Sequence, residues 1–336
     1  MNNGKNSFPG MLCLLLAAVS FSCSADLFPV YEKADNGDIR MGYINGRDRS
    51  AIEARFDEAL PFHEGFAAVR VDDRYGYIDR KGRWLAEPRF SSGFPFHEGL
   101  AMVVEEGLCG YLNQKGEFLI PPRYRRAGHF SEGRAVAVSE NQAWFIDARG
   151  RKRAEIPYLF AGPLRDGRSL VMDQGQFGYV SVLGETVIAP EYEMAFDFSE
   201  GLGLVVRGGK GGYIDRNGKT VIDFRFIGSS PFSEGLAAVR EGDGMGYIDK
   251  KGDLVIPADF RFAAPFSEGC ARAQDPDSGL FGFIDASGAW IVPPRFTYAE
   301  DFEKALAFVA DGGSLYYIDK KGREVWRTER EQIHGY

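Results

Sequence analysis

The chain has 336 residues, enough for one long domain or two ordinary ones. Apolar residues make up 44% and aromatic residues 14% of the chain, so it can bury a core and is not disordered by composition. The formal net charge of −8 is spread along the sequence, without the concentrated basic face that nucleic acid requires. We therefore expect no nucleic-acid partner.

The first residues predict export. Residues 11–19 form an apolar run far shorter than the roughly 20 residues of a membrane-spanning helix. Cys23 follows, and the small residue before it matches a bacterial lipoprotein cleavage site, although Ser20 stands where such sites usually carry Leu. We predict a signal peptide over residues 1–22, a lipid on Cys23 and a tether over residues 23–30. Cleavage without lipidation, giving a periplasmic or secreted protein, is the alternative.

One tetrapeptide, Gly-Tyr-Ile-Asp, recurs along almost the whole chain. Its nine copies, some of them degenerate, begin at Gly42, Gly76, Gly110, Trp144, Gly178, Gly212, Gly246, Gly282 and Tyr316. Every step is 34 residues except one step of 36, between Gly246 and Gly282. A fixed period of this size indicates a repeat architecture in which neighbouring units stack.

A second motif, Phe-Ser-Glu-Gly, keeps the same phase, and we call it the anchor. Its copies begin at Phe62, Phe96, Phe130, Leu164, Phe198, Phe232, Phe266 and Phe302, and the last has decayed to Phe-Glu-Lys-Ala. Comparison of the two series places the two extra residues of the long step between residues 271 and 282.

The residues inside each unit predict β-strands rather than the paired helices that a 34-residue period also describes. Several Gly and usually a Pro interrupt any helical run. Asp-x-x-Gly closes a hairpin well, because Asp bonds nearby backbone N–H groups and Gly accepts a positive φ. A Pro and then an aromatic residue follow the third strand in most units, and we expect the aromatic residue to pack between units.

The predicted fold is all-β, with tandem three-stranded repeats of 34 residues over residues 31–328 and a polar tail at 329–336. We expect an open, curved array, because propeller blades typically have four strands, repeats of about 40–50 residues and about four to eight copies. A closed ring resembling a β-propeller is the alternative.

These motifs resemble the WG repeats, also called KWG repeats, of bacterial proteins. The resemblance rests on Phe-Ser-Glu-Gly-Leu-Ala-Ala-Val, Gly-Tyr-Ile-Asp-x-x-Gly and Ile-Pro-x-x-Phe, and it extends from about Tyr31 to Trp326. The chain lacks the Trp-Gly dipeptide that names the family, although an aromatic residue precedes the Gly in some units. The resemblance implies a β-rich repeat protein, often exported, without a general enzymatic activity or catalytic residues.

The anchor acids, which recur as far as Glu268, form the first candidate site, a ladder for cations or a basic partner. The alternative is that each acid caps its own turn beside Gly. His63 and His97 are equivalent in adjacent units and could share a metal with Glu64 and Glu98, but most other units carry Ser there. The sequence has no catalytic triad, phosphate loop or Cys-x-x-Cys motif, so we expect neither an enzyme nor a cofactor.

Two departures from the repeat mark the best candidates for partner binding. Trp144 replaces the Gly of the tetrapeptide, and it either fills a local gap or forms a contact surface. The long unit contains a polar turn that should project from the surface. Its candidate contact residues are Gln274, Asp275, Asp277 and Ser278.

The sequence therefore predicts a non-enzymatic repeat protein of the cell envelope, anchored to a bacterial membrane by its lipid, that presents an extended surface to a protein or glycan partner. A structural spacer in the envelope is the second hypothesis. A hydrolase or metal-dependent enzyme is the third.

Overall fold

The computed structural model describes residues 26–33, 38–46 and 49–328, and every regular element in this part of the chain is a β-strand. The strands form nine antiparallel sheets that follow one another in chain order, one for each sequence repeat. Buried clusters join each sheet to the next, and one of them joins the last sheet to the first. The fold is a nine-bladed β-propeller. Within the described residues, no helix exists that could cross a bilayer.

Each blade contains up to four strands, which we label A to D in chain order. Blade 1 has B to D only: β1 (Leu27–Lys33), β2 (Ile39–Asn45) and β3 (Arg49–Phe56). Blade 2 has β4 (Glu58–Ala59), β5 (Phe66–Val71), β6 (Arg74–Asp79) and β7 (Trp84–Phe90). Blade 3 has β8 (Ser92–His97), β9 (Leu100–Glu105), β10 (Leu108–Asn113) and β11 (Phe118–Tyr124). Blade 4 has β12 (Arg126–Ala127), β13 (Ala135–Ser139), β14 (Gln142–Ile146) and β15 (Lys152–Ile156).

The remaining blades repeat this order. Blade 5 has β16 (Phe160–Arg165), β17 (Arg168–Asp173), β18 (Gln176–Ser181) and β19 (Thr186–Tyr192). Blade 6 has β20 (Met194–Ala195), β21 (Gly203–Arg207), β22 (Lys210–Ile214) and β23 (Thr220–Phe226). Blade 7 has B to D only: β24 (Ala237–Glu241), β25 (Gly244–Ile248) and β26 (Leu254–Phe260). Blade 8 has β27 (Phe262–Ala263), β28 (Cys270–Gln274), β29 (Phe281–Asp285) and β30 (Trp290–Phe296). Blade 9 has β31 (Tyr298–Ala299), β32 (Leu306–Asp311), β33 (Ser314–Asp319) and β34 (Glu324–Thr328).

The Gly of the tetrapeptide is required by a bulge in strand D. In blade 7, Tyr247 pairs with Ile256 and Met245 pairs with Phe260, so strand D holds two more residues than strand C over this stretch. The bulged strand approaches Gly246 so closely that a Cβ atom there would lie 2.5 Å from the Ile256 carbonyl oxygen. Any larger residue at this position would displace strand D.

The Asp of the tetrapeptide closes the hairpin between strands C and D. In blade 7 the Asp249 carboxylate accepts the backbone N–H groups of Lys251 at 2.8 Å and Asp253 at 3.0 Å. Gly252 has a φ of 88°, in the left-handed region that favours Gly. These bonds are the turn chemistry that the Asp-x-x-Gly motif predicts.

The Tyr of the tetrapeptide joins its blade to the next one. The Tyr247 hydroxyl of blade 7 donates to the Ala264 carbonyl of blade 8 at 2.7 Å, and its ring packs edge-on against Phe266. The same bond, spanning 17 residues, is made by Tyr43, Tyr77, Tyr111, Tyr179 and Tyr213. Burial raises the pKa of these hydroxyls well above its usual value, so they stay protonated donors.

The acid of each anchor caps a turn in the following blade. Glu98 accepts the backbone N–H of Gly133 at 2.9 Å, and Glu234 accepts that of Gly269 at 2.9 Å. The prediction that each acid caps its own turn is therefore wrong. Anchors of adjacent blades lie side by side in the ring, so the unpaired N–H within reach of each carboxylate belongs to the next anchor.

The ring closes where blade 9 meets blades 1 and 2. The Tyr317 hydroxyl of blade 9 donates to the Pro29 carbonyl of blade 1 at 3.1 Å, and Phe28 packs on the Tyr317 ring at 5.5 Å between centroids. Lys304 replaces the anchor acid in blade 9, and its ammonium group donates to the Phe62 carbonyl of blade 2 at 2.7 Å.

The open array is therefore wrong, and the closed ring that was its alternative is confirmed. The segment that leads into the anchor supplies the fourth strand that the sequence did not reveal, most fully in blades 3 and 5, where strand A spans Ser92–His97 and Phe160–Arg165. Closure also buries the two exposed end faces that an open array would leave in water.

The boundaries of the repeat region also differ from the sequence prediction at its start. Strand β1 begins at Leu27, so residues 27–30, which we assigned to a tether, belong to blade 1. The predicted signal peptide, Cys23 and the tail at 329–336 lie outside the described residues.

The closed ring predicts the effect of Tyr317→Phe. This change removes a buried bond to the Pro29 carbonyl and should lower the free energy of unfolding by about 1 kcal/mol in urea denaturation. Tyr213→Phe, within the ring, is the matched control and should cost a similar amount. A Tyr317→Phe protein as stable as the parent, alongside a weakened Tyr213→Phe protein, would indicate an open end.

Candidate functional site

The ring has two chemically different faces, because adjacent strands in each blade are antiparallel. The turns between strands B and C lie at one end of every blade, together with the connections from strand D to the next strand A. We call this end the turn face. The anchors and the Asp-x-x-Gly hairpins lie at the opposite end, which we call the hairpin face.

Trp144 alters the path of the chain in blade 4. Trp144 pairs with Glu155 and Ala143 pairs with Ile156, so strand D has lost the bulge that the Gly-containing blades show. The other described blade with a bulky residue in the Gly slot, Tyr316 in blade 9, has also lost it. Strand D of blade 4 therefore ends at Ile156, and the next residues leave the sheet.

The segment that follows strand D of blade 4 carries exposed apolar side chains on the turn face. Tyr158 is half-buried, whereas the equivalent Tyr192 of blade 5 is buried. Leu159 and Phe160 follow it and are 47% and 42% exposed. They line open grooves between blades 4 and 5, where Arg126 donates to the Leu159 carbonyl at 3.2 Å.

Trp144 itself serves packing between blades 3 and 4. Its half-buried ring lies against the cluster that contains Tyr111 and Phe130, and the Lys152 ammonium group lies 4.2 Å from the ring centroid. The local-repair interpretation accounts for these contacts. Contact between Trp144 and a partner stays a prediction.

Leu159 and Phe160 belong to a larger feature that the sequence analysis missed. At the repeat position of Phe160 and the one before it, large exposed apolar residues occur in each of blades 5 to 9. We call this set the apolar arc. Its members are Leu159, Phe160, Met194, Ile227, Phe262 and Tyr298.

The same two positions are polar in the blades before the arc. They hold Asp57 and Glu58 in blade 2, Ser91 and Ser92 in blade 3, and Arg125 and Arg126 in blade 4. The arc therefore covers one side of the turn face. Alignment of the copies at a period of 34 would have revealed it, because the signal lies in two adjacent columns of the repeat rather than in its most repeated residues.

The long unit contributes a turn to the same face. Phe262 of the arc pairs with Gln274, so the arc and the turn lie side by side in blade 8. Within the turn, Gln274 donates to the Gly279 carbonyl at 2.7 Å, and the Ser278 hydroxyl donates to Asp275 at 2.6 Å. Asp277 is exposed at the tip. The turn is thus rigidly bonded internally.

The tips of the turns and the tips of the hairpins differ in charge, which the even spread of charge along the sequence does not reveal. Turns on the turn face carry exposed acids: Asp72, Asp73, Glu106, Glu140, Asp173, Glu241, Asp243 and Asp277. Hairpins on the hairpin face carry exposed bases: Arg80, Lys81, Lys115, Arg149, Arg216, Lys250, Lys251 and Lys321. Of these acids, Asp173, Glu241, Asp243 and Asp277 are in the blades that carry the apolar arc. The hairpin face also exposes acids, those of the anchors: Glu64, Glu98, Glu132, Glu200, Glu234 and Glu268.

The carboxylates of the anchor acids already accept hydrogen bonds or form ion pairs within the protein. Besides the caps, Lys250 bonds Glu200 at 2.9 Å and Lys320 bonds Glu268 at 3.1 Å across adjacent blades. Burial acts to raise the pKa of Glu200, but the bonds from Lys250 and Gly235 outweigh it and lower that pKa. The acids therefore act as internal links between blades.

Three histidines lie in a row across blades 2 to 4. The His63 and His97 rings are 5.8 Å apart, as their equivalent positions led us to expect, and His129, which the sequence analysis missed, lies 4.4 Å from His97. Among the described residues, no group of three or more His, Cys, Asp or Glu side chains has the geometry to hold a metal.

The tandem four-stranded blades define the class of this protein as a β-propeller built from repeats. The model of the WG containing repeat matches residues 41–75, 75–109, 110–142, 177–210, 212–244, 245–275 and 281–313. These matches cover more than half of the chain, so the chain belongs to the WG-repeat family. Residues 143–176, which hold Trp144, Leu159 and Phe160, lie outside the matched segments.

Comparison with solved structures finds similarities at low sequence identity. A crystal structure titled as the eukaryotic initiation factor has a TM-score of 0.64 and 13% identity, covering 90% of this chain and 96% of its own. A dihydro-heme d1 dehydrogenase, NirN, gives 0.46 and 13%, covering 91% and 78%. Kluyveromyces lactis Hsv2 gives 0.41 and 13%, covering 80% and 96%. The first similarity supports the propeller fold alone. Among curated proteins, none matches this chain.

The packing predicts that Trp144→Ala lowers the free energy of unfolding much more than Phe160→Ala does. Trp144→Ala empties half-buried space between blades and should lower the free energy of unfolding by about 2–3 kcal/mol. Phe160→Ala truncates an exposed ring and should change it by less than about 0.5 kcal/mol. Urea denaturation of both variants measures this. A large loss for Phe160→Ala would mean that the arc is part of the core.

The histidine row predicts a loss of stability in mild acid. Burial and then Lys304 lower the pKa of His63, and burial and then His97 lower that of His129. The folded state therefore resists protonation, so the free energy of unfolding should fall as the pH drops below about 6.5, where the unfolded histidines take up protons. The variant His63→Ser/His97→Ser/His129→Asn should weaken this dependence between about pH 7 and pH 5. An unchanged slope would contradict the assignment.

Proposed function

We propose that this protein is a non-enzymatic docking platform that binds a protein partner through its turn face. The apolar arc carries this proposal, because it places large exposed apolar side chains at two adjacent repeat positions in five consecutive blades. A series of exposed apolar residues at equivalent positions of consecutive blades suits an interaction surface, whereas single exposed apolar residues scattered over the surface are normal on any protein. Propellers offer such faces without any catalytic group.

The composition of the arc favours a protein partner over a glycan. Leu159, Met194 and Ile227 are aliphatic, and Ile227 is 79% exposed. Aliphatic side chains fit the apolar side chains of a protein segment, whereas sugar rings are bound mainly by aromatic faces with polar groups beside them. The grooves between blades 4 and 5 offer space for such side chains beside Phe160.

A lipid on Cys23 would place the hairpin face against a membrane. Asp26 follows Cys23 by three residues, and its carboxylate accepts a bond from Arg80 at 3.1 Å, at the tip of a hairpin. The chain thus enters the ring at the hairpin face, whose Lys81 and Lys251 suit anionic lipid headgroups. In this orientation the turn face points away from the membrane, where a partner can reach it.

The proposal is tested by capture from envelope extract with a matched pair of variants. Leu159→Ser/Phe160→Ser removes the exposed apolar surface nearest the groove. Leu119→Ser/Val255→Ser removes exposed apolar residues from strands D and is the control, since both residues are nearly half exposed. Both variants should fold like the parent by circular dichroism, and a partner should be lost only with the first.

Two outcomes contradict the proposal. A partner retained by Leu159→Ser/Phe160→Ser would place binding elsewhere, and the absence of any specific partner would favour the structural spacer. The membrane part is tested separately by Cys23→Ser in the producing bacterium. This variant should move from the membrane fraction to the soluble exported fraction, and a variant that stays with the membrane would refute the lipid anchor.

A further inference from the structure

The acids of the turn face are arranged beside the apolar arc rather than scattered. Asp173 lines the same groove as Leu159 and Phe160. Asp277 belongs to the turn next to Phe262 in blade 8. Glu241 and Asp243 belong to the turn between strands B and C of blade 7, the blade that Ile227 precedes. The arc is therefore accompanied by exposed carboxylates in blades 5, 7 and 8.

Several basic side chains of the turn face already form ion pairs or hydrogen bonds within the protein. The Arg207 guanidinium bonds Glu191 and lies over the Tyr192 ring at 5.0 Å. Arg240 donates to the Asp243 carbonyl at 3.1 Å, which leaves the Asp243 carboxylate exposed. Arg272 pairs with Asp301 at 3.3 Å, so its charge is also matched within the fold. Arg126, Lys210 and Arg261 are also exposed beside the arc. Exposed acids there are more numerous: Asp173, Glu193, Glu241, Asp243, Asp277 and Glu300. Along the arc, the exposed acids therefore outweigh the exposed bases.

We infer that the segment bound by the arc is cationic and apolar, with Lys or Arg interleaved with large apolar side chains. This inference rests on the proposed function and names the chemistry of its partner. Apolar side chains of the segment occupy the arc and its groove, and its cations face Asp173, Asp243 and Asp277. Single exposed ion pairs stabilise little, but a field of one sign speeds association and excludes acidic competitors.

A second copy of this chain fits the turn face less well. Two turn faces placed together would bring like charges against each other across a symmetric interface. The basic hairpin tips of another copy have the opposite charge, but a lipid on Cys23 would hold that face at the membrane. The separate cationic segment is therefore the occupant that the charge pattern favours.

The test uses the mature chain from residue 23 and three labelled peptides of equal length. One alternates Lys and Leu, one alternates Glu and Leu, and one alternates Lys and Ser. Fluorescence anisotropy should show the Lys-Leu peptide binding at least about tenfold more tightly than either of the others. Its affinity should fall several-fold when salt rises from about 0.05 M to 0.3 M, because salt screens the attraction between its Lys side chains and the carboxylates beside the arc.

Matched variants locate the interaction. Asp173→Asn/Asp243→Asn/Asp277→Asn should weaken Lys-Leu binding by roughly three- to tenfold. Glu185→Gln/Asp223→Asn/Asp253→Asn removes three exposed acids away from the arc and should leave Lys-Leu binding unchanged. Leu159→Ser/Phe160→Ser should abolish the preference for Lys-Leu over Lys-Ser. Circular dichroism confirms that each variant is folded.

The outcomes separate this inference from the proposed function. Equal binding of the Glu-Leu peptide, or no effect of salt and of the arc-side acids, overturns the cationic segment even if partner capture still depends on Leu159 and Phe160. Loss of arc-dependent capture overturns the proposed function. Sedimentation that shows self-association blocked by the same three Asn substitutions would identify a second copy as the occupant and overturn the inference.

Discussion

The contact between one blade and the next is the interaction on which the whole structure depends. A single repeat cannot bury its own aromatic residues, and its unpaired groups are satisfied only by its neighbour. Tyr247 donates to a carbonyl of the following blade, and Glu234 caps a turn there. Because every blade packs against the next one, the last blade packs against the first. Tyr317 and Lys304 of blade 9 donate the hydrogen bonds that close the ring.

The most repeated residues have structural roles in this architecture and are therefore poor candidates for partner binding. Gly246 makes room for a bulge, Asp249 closes a hairpin, and the anchor acids link blades. Surface chemistry is free to vary only where the repeat does not constrain it. The apolar arc occupies two adjacent positions of this kind. Its exposure does not depend on the bulge that Trp144 removes, because Met194 and Ile227 follow blades that keep the bulge.

Much of the fold could be predicted from the sequence because its signals are local. The period, the hairpins and the inter-unit aromatic residues follow from spacing, turn chemistry and burial. The candidate site was only partly predictable. Trp144 and the turn at Asp277 were recognised as departures from the repeat, but Met194, Ile227 and Phe262 are ordinary residues when each is considered alone. Their common exposure follows from stacking of the blades, which no single repeat displays.

The sequence by itself determined an all-β repeat protein of the WG type, since Gly, Asp and Tyr at fixed spacing leave few other structures. Tertiary structure decided the closed ring, because closure depends on whether blade 9 can reach Pro29 and Phe62 across the full length of the chain. It also decided which acids are used internally and which surround the apolar arc. Such pairings join residues that are distant in sequence, and their physical basis is proximity in the ring rather than any local pattern.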